Sequence, residues 1–227
     1  MTRNVFDREL QKLQDRLLAL GSEVEQNVVT AVHILLERDN RRARDLIAGD
    51  TRVNEEQMSI ENDSLILLAT QQPLATDLRI LASIISIATE LERMNDYAKG
   101  IAKIQLMIRG DELLEVADVL PHMAQKAREM LHRSLRAFID GDVDAAYRIH
   151  EEDDEVDALY NRVYEQLVAD ITADASIMDQ ATHLLWAAHN LERTADRVSN
   201  ICERVIFTVS GKIVEMPEES EIAYPQE

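Results

Sequence analysis

The chain repeats itself. The segment "LERMND" at 91–96 returns as "LERTAD" at 191–196. A shift of 100 places Glu192, Arg193 and Asp196 over Glu92, Arg93 and Asp96, and lays Leu184, Leu185, Ala188 and Leu191 on Ile84, Ile85, Ala88 and Leu91. Further upstream a shift of 103 lays Asp142, Ala146, Asp153, Val156 and Asp157 over Asp39, Ala43, Asp50, Val53 and Asn54. The change of three fits a shorter loop after the fifth helix. A duplication on this scale constrains the fold more than any other feature, because each half must form the same unit and the two units must pack together.

The unit is helical. Helix stops and starts fall at Asp39, Pro73, Gly110, Gly141 with Asp142, Asp174 with Ser176, and Gly211. These are residue types that cap, begin or end helices. Between them lie six stretches of about thirty residues, each with apolar residues at three-and-four spacing. In the third, Leu74, Leu78, Leu81, Ile85, Ala88 and Leu91 form one stripe. Aromatics make up 4% of the chain, and only six Gly and four Pro interrupt it, a profile of long helices rather than sheets. The expected fold is all-α: six long helices forming two tandem-repeated antiparallel three-helix bundles. Residues 1–110 are the first bundle, 111–211 the second, and 212–227 an acidic flexible tail.

Charge narrows the function. The formal net charge is −19, unsuited to wrapping nucleic acid or lying on anionic lipid. It suits a protein that holds cations or meets a basic partner. Cys202 is the single cysteine, so no internal disulfide forms. The N-terminus lacks an apolar signal segment, and "ILASIISIA" at 80–88 is too short to span a bilayer. These features predict a cytoplasmic protein with no direct membrane insertion.

The repeated acids lie where a core residue is expected. At about 100° per residue, with Ala88 at the centre of the stripe, Glu92 falls at about +40° and Asp96 at about +80°. The same holds for Glu192 and Asp196 about Ala188. Folding each hairpin about its turn brings Asp50 and Asn54 level with Glu92 and Asp96, and Asp153 and Asp157 level with Glu192 and Asp196. On an exposed helix, like charges four apart cost about 0.2–0.5 kcal/mol. Gathered at a bundle seam, they cost several kcal/mol each unless protonated, paired with Arg, or joined by a cation. Arg93 and Arg193 point about 100° away, so a bound cation is the expected remedy. Asn54 makes the first cluster less negative, and weaker binding is expected there.

The segments "ELERMNDYAKGIAKI" (90–104) and "NLERTADRVSNICERV" (190–205) resemble the paired helix motifs of the PhoU family, regulators of phosphate transport and signalling. "QQPLATDLRILASI" (71–84) is similar to the stretch before the first motif, and "FDRELQKLQDRLLALGSEVEQNV" (6–28) to the family's first helix. The resemblance covers residues 5–211. It implies a PhoU-like pair of bundles and a cytoplasmic, non-enzymatic negative regulator of phosphate uptake and of the phosphate-starvation response. Implied partners are a sensor histidine kinase, the ATPase subunit of a phosphate ABC transporter, and a second copy in a homodimer. It also implies Fe, Mn, Mg or Zn at Asp153, Asp157, Glu192, Asp196, Glu92, Asp96 and Asp50, with Asn200 as ligand or supporting donor. Asn54 departs from the acid pattern, and Arg197 stands where many relatives carry His.

Two other readings compete. A ferritin-like di-iron protein needs Glu-x-x-His on two helices, and only Glu129 and His132 have that spacing. A metal-free helical adaptor would leave its acid clusters hydrated or docked on basic partners. His189, three before Glu192, lies on the cluster's face. Nothing supports nucleophilic catalysis, since Cys202 lies about 240° round the helix from Asp196.

Overall fold

The computed structural model describes residues 3–110 and 112–216. Its helices are α1 (Arg3–Leu36), α2 (Asn40–Gln71), α3 (Thr76–Met107), α4 (Leu120–Asp140), α5 (Val143–Glu151), α6 (Asp153–Ala173) and α7 (Met178–Ser210). Short 3-10 turns at Glu115–Val119 and Ala175–Ile177 lead into α4 and α7. The architecture is all-helical, as the duplication requires. None of these helices is long and apolar enough to cross a membrane. Of the expected tail, residues 217–227 lie outside the described residues. Met216 is buried, and its N–H donates to Glu203 Oε1 at 2.9 Å.

The helix boundaries obey local rules. Asp39 caps α2 by accepting from the Arg41 and Arg42 N–H groups. Asp142 caps α5 through the Ala145 N–H. Gly141 and Gly211 end α4 and α7 at φ +67° and +74°, a left-handed conformation that costs a glycine little. One expectation changes. The fifth stretch is not one helix, because Glu152 divides it into α5 and α6. There the Glu152 N–H bonds Ile149 O and the Glu155 N–H bonds Glu152 O. Both are tightened contacts over three residues rather than four. The repeat-equivalent α2 runs through without a break.

The helices α3 and α7 form the spine of the molecule, antiparallel to each other. Ser83 meets Thr208 at 2.9 Å near one end, while a Cβ on Gly100 would stand 3.3 Å from the Asn190 amide toward the other. Between them, Asn200 Nδ2 donates to Glu90 Oε2 at 3.2 Å and Arg193 lies over the Tyr97 ring. The two hairpins flank this spine, with α1 against α2, α3 and α4. One apolar core runs through both halves, from Leu17, Leu20 and Val24 to Leu91, Met130, Leu131 and Leu191. Each large side chain fully buried there contributes about 1.5–3 kcal/mol. Within the expected α3 stripe, Leu81, Ala88 and Leu91 are buried but Leu74 and Leu78 are exposed. Those two lie at or before the first turn of α3, past the end of the core.

Candidate metal centre

The second half gathers its acids as the hairpin register requires. Asp153 and Asp157 at the start of α6 meet Asp196 from the middle of α7. One carboxylate oxygen from each falls within 4.8 Å of the other two. Among the described residues this is the one group of three or more Asp, Glu, His or Cys so placed. The spacing suits a hard cation, since oxygens on opposite sides of Mg²⁺ or Ca²⁺ lie about 4–5 Å apart. Asp153 Oδ1 is buried and accepts no hydrogen bond among the described residues.

Electrostatics agree with the geometry. Burial, then the carboxylates of Asp196, Asp157, Glu192 and Asp154, push the Asp153 carboxyl up to about 8. Its place at a helix N-terminus offers only about 0.3–1 kcal/mol toward the charged form, too little against that crowding. Two cations of α4 are engaged at the neighbouring Glu152. Arg133 and Lys126 both reach from α4 to Glu152, at 2.7 Å and 2.9 Å, and hold its carboxyl down at about 2. Lys126 also takes Glu155 at 2.8 Å. His189 Nδ1 stands 3.1 Å from Glu192 Oε2. Burial and then Arg193 lower the pKa of that imidazole, favouring its neutral form. Cys202 is buried, with a thiol pushed up to about 12 by burial and by Asp153 and Glu203, so it is inert as a nucleophile.

The first half has the expected register but different chemistry. Asp50 is 7% exposed. Lys99 Nζ lies 2.6 Å from Asp50 Oδ2 and 2.6 Å from Asp96 Oδ1. Asn95 donates to Asp50 Oδ1 at 3.0 Å, and Asn27 donates in turn to Asn95 Oδ1 at 2.8 Å. Asn54 Nδ2 reaches Asp50 Oδ2 at 3.4 Å. Burial opposes the charge on Lys99, but its hydrogen bonds to the two aspartates outweigh that and raise its pKa, holding the ammonium charged. Glu92, half-buried beside them, is raised by burial first and then by Asp96 and Asp50.

Lys99 and Asn95 are the residues that sequence reasoning passed over. Their signal was present: Lys99 is seven residues after Glu92, within about 20° of it on the helix. Asn200, expected as a ligand or supporting donor, gives its amide N–H to Glu90 in the spine between α3 and α7. The His132 imidazole lies 3.3 Å from Glu25. An open cleft of about 520 Å³ between α1 and α2, lined by residues including Val5, Leu13, Ile66 and Leu67, shares no lining residue with either acid cluster.

A duplicated helical hairpin with facing acid pairs on its last two helices defines a class of protein, and the comparisons with known proteins agree on which. The sequence profile of the PhoU domain matches residues 17–105 and again 120–205. The chain belongs to the PhoU family. It is 34% identical over 217 residues to a phosphate-specific transport system accessory protein PhoU homolog from Clostridium acetobutylicum, spanning 95% of this chain and 99% of that one. To its counterpart in Escherichia coli it is 31% identical, over 91% of this chain and 86% of the other. The crystal structure of the phosphate transport system regulatory protein PhoU from Streptococcus pneumoniae superposes with a TM-score of 0.86 at 32% identity, covering 93% of this chain and all of that one. PhoU from Pseudomonas aeruginosa superposes with a TM-score of 0.85 at 30% identity, covering 91% and 100%.

Proposed function

We propose that this protein is a cytoplasmic, non-enzymatic regulator of phosphate transport that restrains phosphate uptake and the phosphate-starvation response. The observation that carries the reading is full-length likeness, in sequence and in fold, to phosphate transport regulatory proteins. Its partners are then the ATPase subunit of a phosphate ABC transporter and a sensor histidine kinase. The spine of α3 and α7 joins the two halves. Deleting the gene tests this reading. Expression of phosphate-starvation genes in high phosphate should rise and fall again on complementation; unchanged expression overturns it.

A divalent or iron ion belongs at the second acid cluster in this reading. Asp153, Asp157 and Asp196 would hold it, with Glu192 adjacent. The fit rests on the buried, unpartnered Asp153 Oδ1 and on the all-oxygen donor set, which suits Mg, Mn or Fe better than a thiolate-seeking ion. A bound cation would offset the carboxylate charge that crowds Asp153. It would also tie the start of α6, just after the break at Glu152, to the middle of α7.

A further inference from the structure

We infer that the first acid cluster is closed to metal because Lys99 is its resident cation. The ammonium stands 2.6 Å from a carboxylate oxygen of each of Asp50 and Asp96, on two different helices. It therefore occupies the place between α2 and α3 from which a metal ion would have to bind both. Lys99 itself is largely buried, with 19% of its side chain exposed, so it is not a surface lysine that swings aside at little cost.

The remaining donors have been rebuilt around that ammonium. Asp50 has its other oxygen on the Asn95 amide, and Asn95 is itself held by Asn27 from α1. Asn54 turns its amide nitrogen toward Asp50. A metal needs oxygen lone pairs directed inward, whereas these contacts consume the Asp50 lone pairs with N–H donors. The repeat gives the control. In the second half the Lys99 position is Ser199, whose hydroxyl lies 2.9 Å from His150 Nδ1. The Asn95 position is Ala195, and the Asn54 position is Asp157. Three substitutions thus separate a lysine-bridged cluster from one made of carboxylates. The chain carries one metal centre and one lysine-locked copy of it.

The test uses Mn²⁺ and the full-length chain, with bound metal counted by elemental analysis after gel filtration. The second cluster is first disabled by Asp153→Asn with Asp157→Asn. In this background the first cluster should bind no Mn²⁺. Adding Lys99→Ser with Asn54→Asp, the residues of the other repeat, should gain one equivalent. That equivalent should vanish on Asp50→Asn. Two results overturn the inference: Mn²⁺ retained while Lys99 is present and lost on Asp50→Asn, or no gain in a folded Lys99→Ser, Asn54→Asp protein.

The inference uses the metal reading of the second cluster only as contrast. An unaltered protein that binds no Mn²⁺ defeats that reading, while a gain on replacing Lys99 still supports this one. A measurement on the unaltered chain guards against variants that fail to fold. The Lys99 side-chain ammonium should give a slowly exchanging NMR signal that persists in saturating Zn²⁺. Loss of that signal on adding Zn²⁺ overturns the inference.

Discussion

The two halves of this protein place acids at the same level of the same hairpin and balance them in different ways. In the first, Lys99 bridges Asp50 and Asp96 while Asn95 and Asn54 donate to the same carboxylate. In the second, Asp153 faces Asp157, Asp196 and Glu192, and its carboxyl is pushed to about 8. The difference teaches that a repeated motif fixes where charge gathers but not how it is compensated. Three side chains around the acids, Lys99, Asn95 and Asn54 against Ser199, Ala195 and Asp157, differ between the repeats.

The comparison breaks most readily through metal content. Glu192→Ala with Asp196→Ala should abolish bound metal. Glu92→Ala with Asp96→Ala should leave it at the level of the unaltered protein, both read by elemental analysis. Equal losses would erase the distinction between the halves. Stability probes it next. Lys99→Met keeps the alkyl stem but leaves Asp50 as an uncompensated buried acid, and should cost about 3 kcal/mol in urea unfolding. Ser199→Ala, at the matching position, loses one hydrogen bond to His150 and should cost about 1 kcal/mol.

A third effect follows from pH. In metal-stripped protein the folded state keeps the Asp153 proton up to about 8, against an ordinary value of 3.8. Folding then favours proton uptake, so the contribution is fully present below 3.8 and is lost as pH rises through 8. The melting temperature of the stripped protein should therefore fall between pH 5 and 8.5, and adding Mn²⁺ at pH 8.5 should restore it. A stripped protein more stable at pH 8.5 than at pH 5 would contradict this sign. The smallest effect concerns Asn200. Asn200→Ala removes one hydrogen bond to Glu90 in the spine and should cost about 1 kcal/mol or less, with metal content unchanged. Loss of metal in that variant would place Asn200 in the centre after all.

Much of this was legible in the chain. The caps at Asp39, Asp142, Gly141 and Gly211 read correctly because capping depends on a few adjacent backbone groups. The levelling of Asp50 with Asp96 followed from counting residues on either side of the hairpin, since both helices rise equally per residue. Other features were not legible. The break at Glu152 sits in a continuous helical pattern and coincides with Arg133 and Lys126 reaching across from α4. Leu74 and Leu78 belonged to an apolar stripe yet are exposed, because periodicity does not say where the opposing helices end.

The sequence by itself determined that the protein is a doubled helical hairpin with acids on its last two helices, because duplication, period and capping are local properties. Tertiary structure decided that α3 and α7 lie antiparallel as a common spine, that Asn200 serves that spine, and that Lys99 fills the first cluster. Those depend on which side chains meet across separate helices, and a change of one turn in a partner alters the outcome. For charged groups removed from water, that meeting governs whether a carboxylate is bridged by an ammonium or left to seek a metal ion.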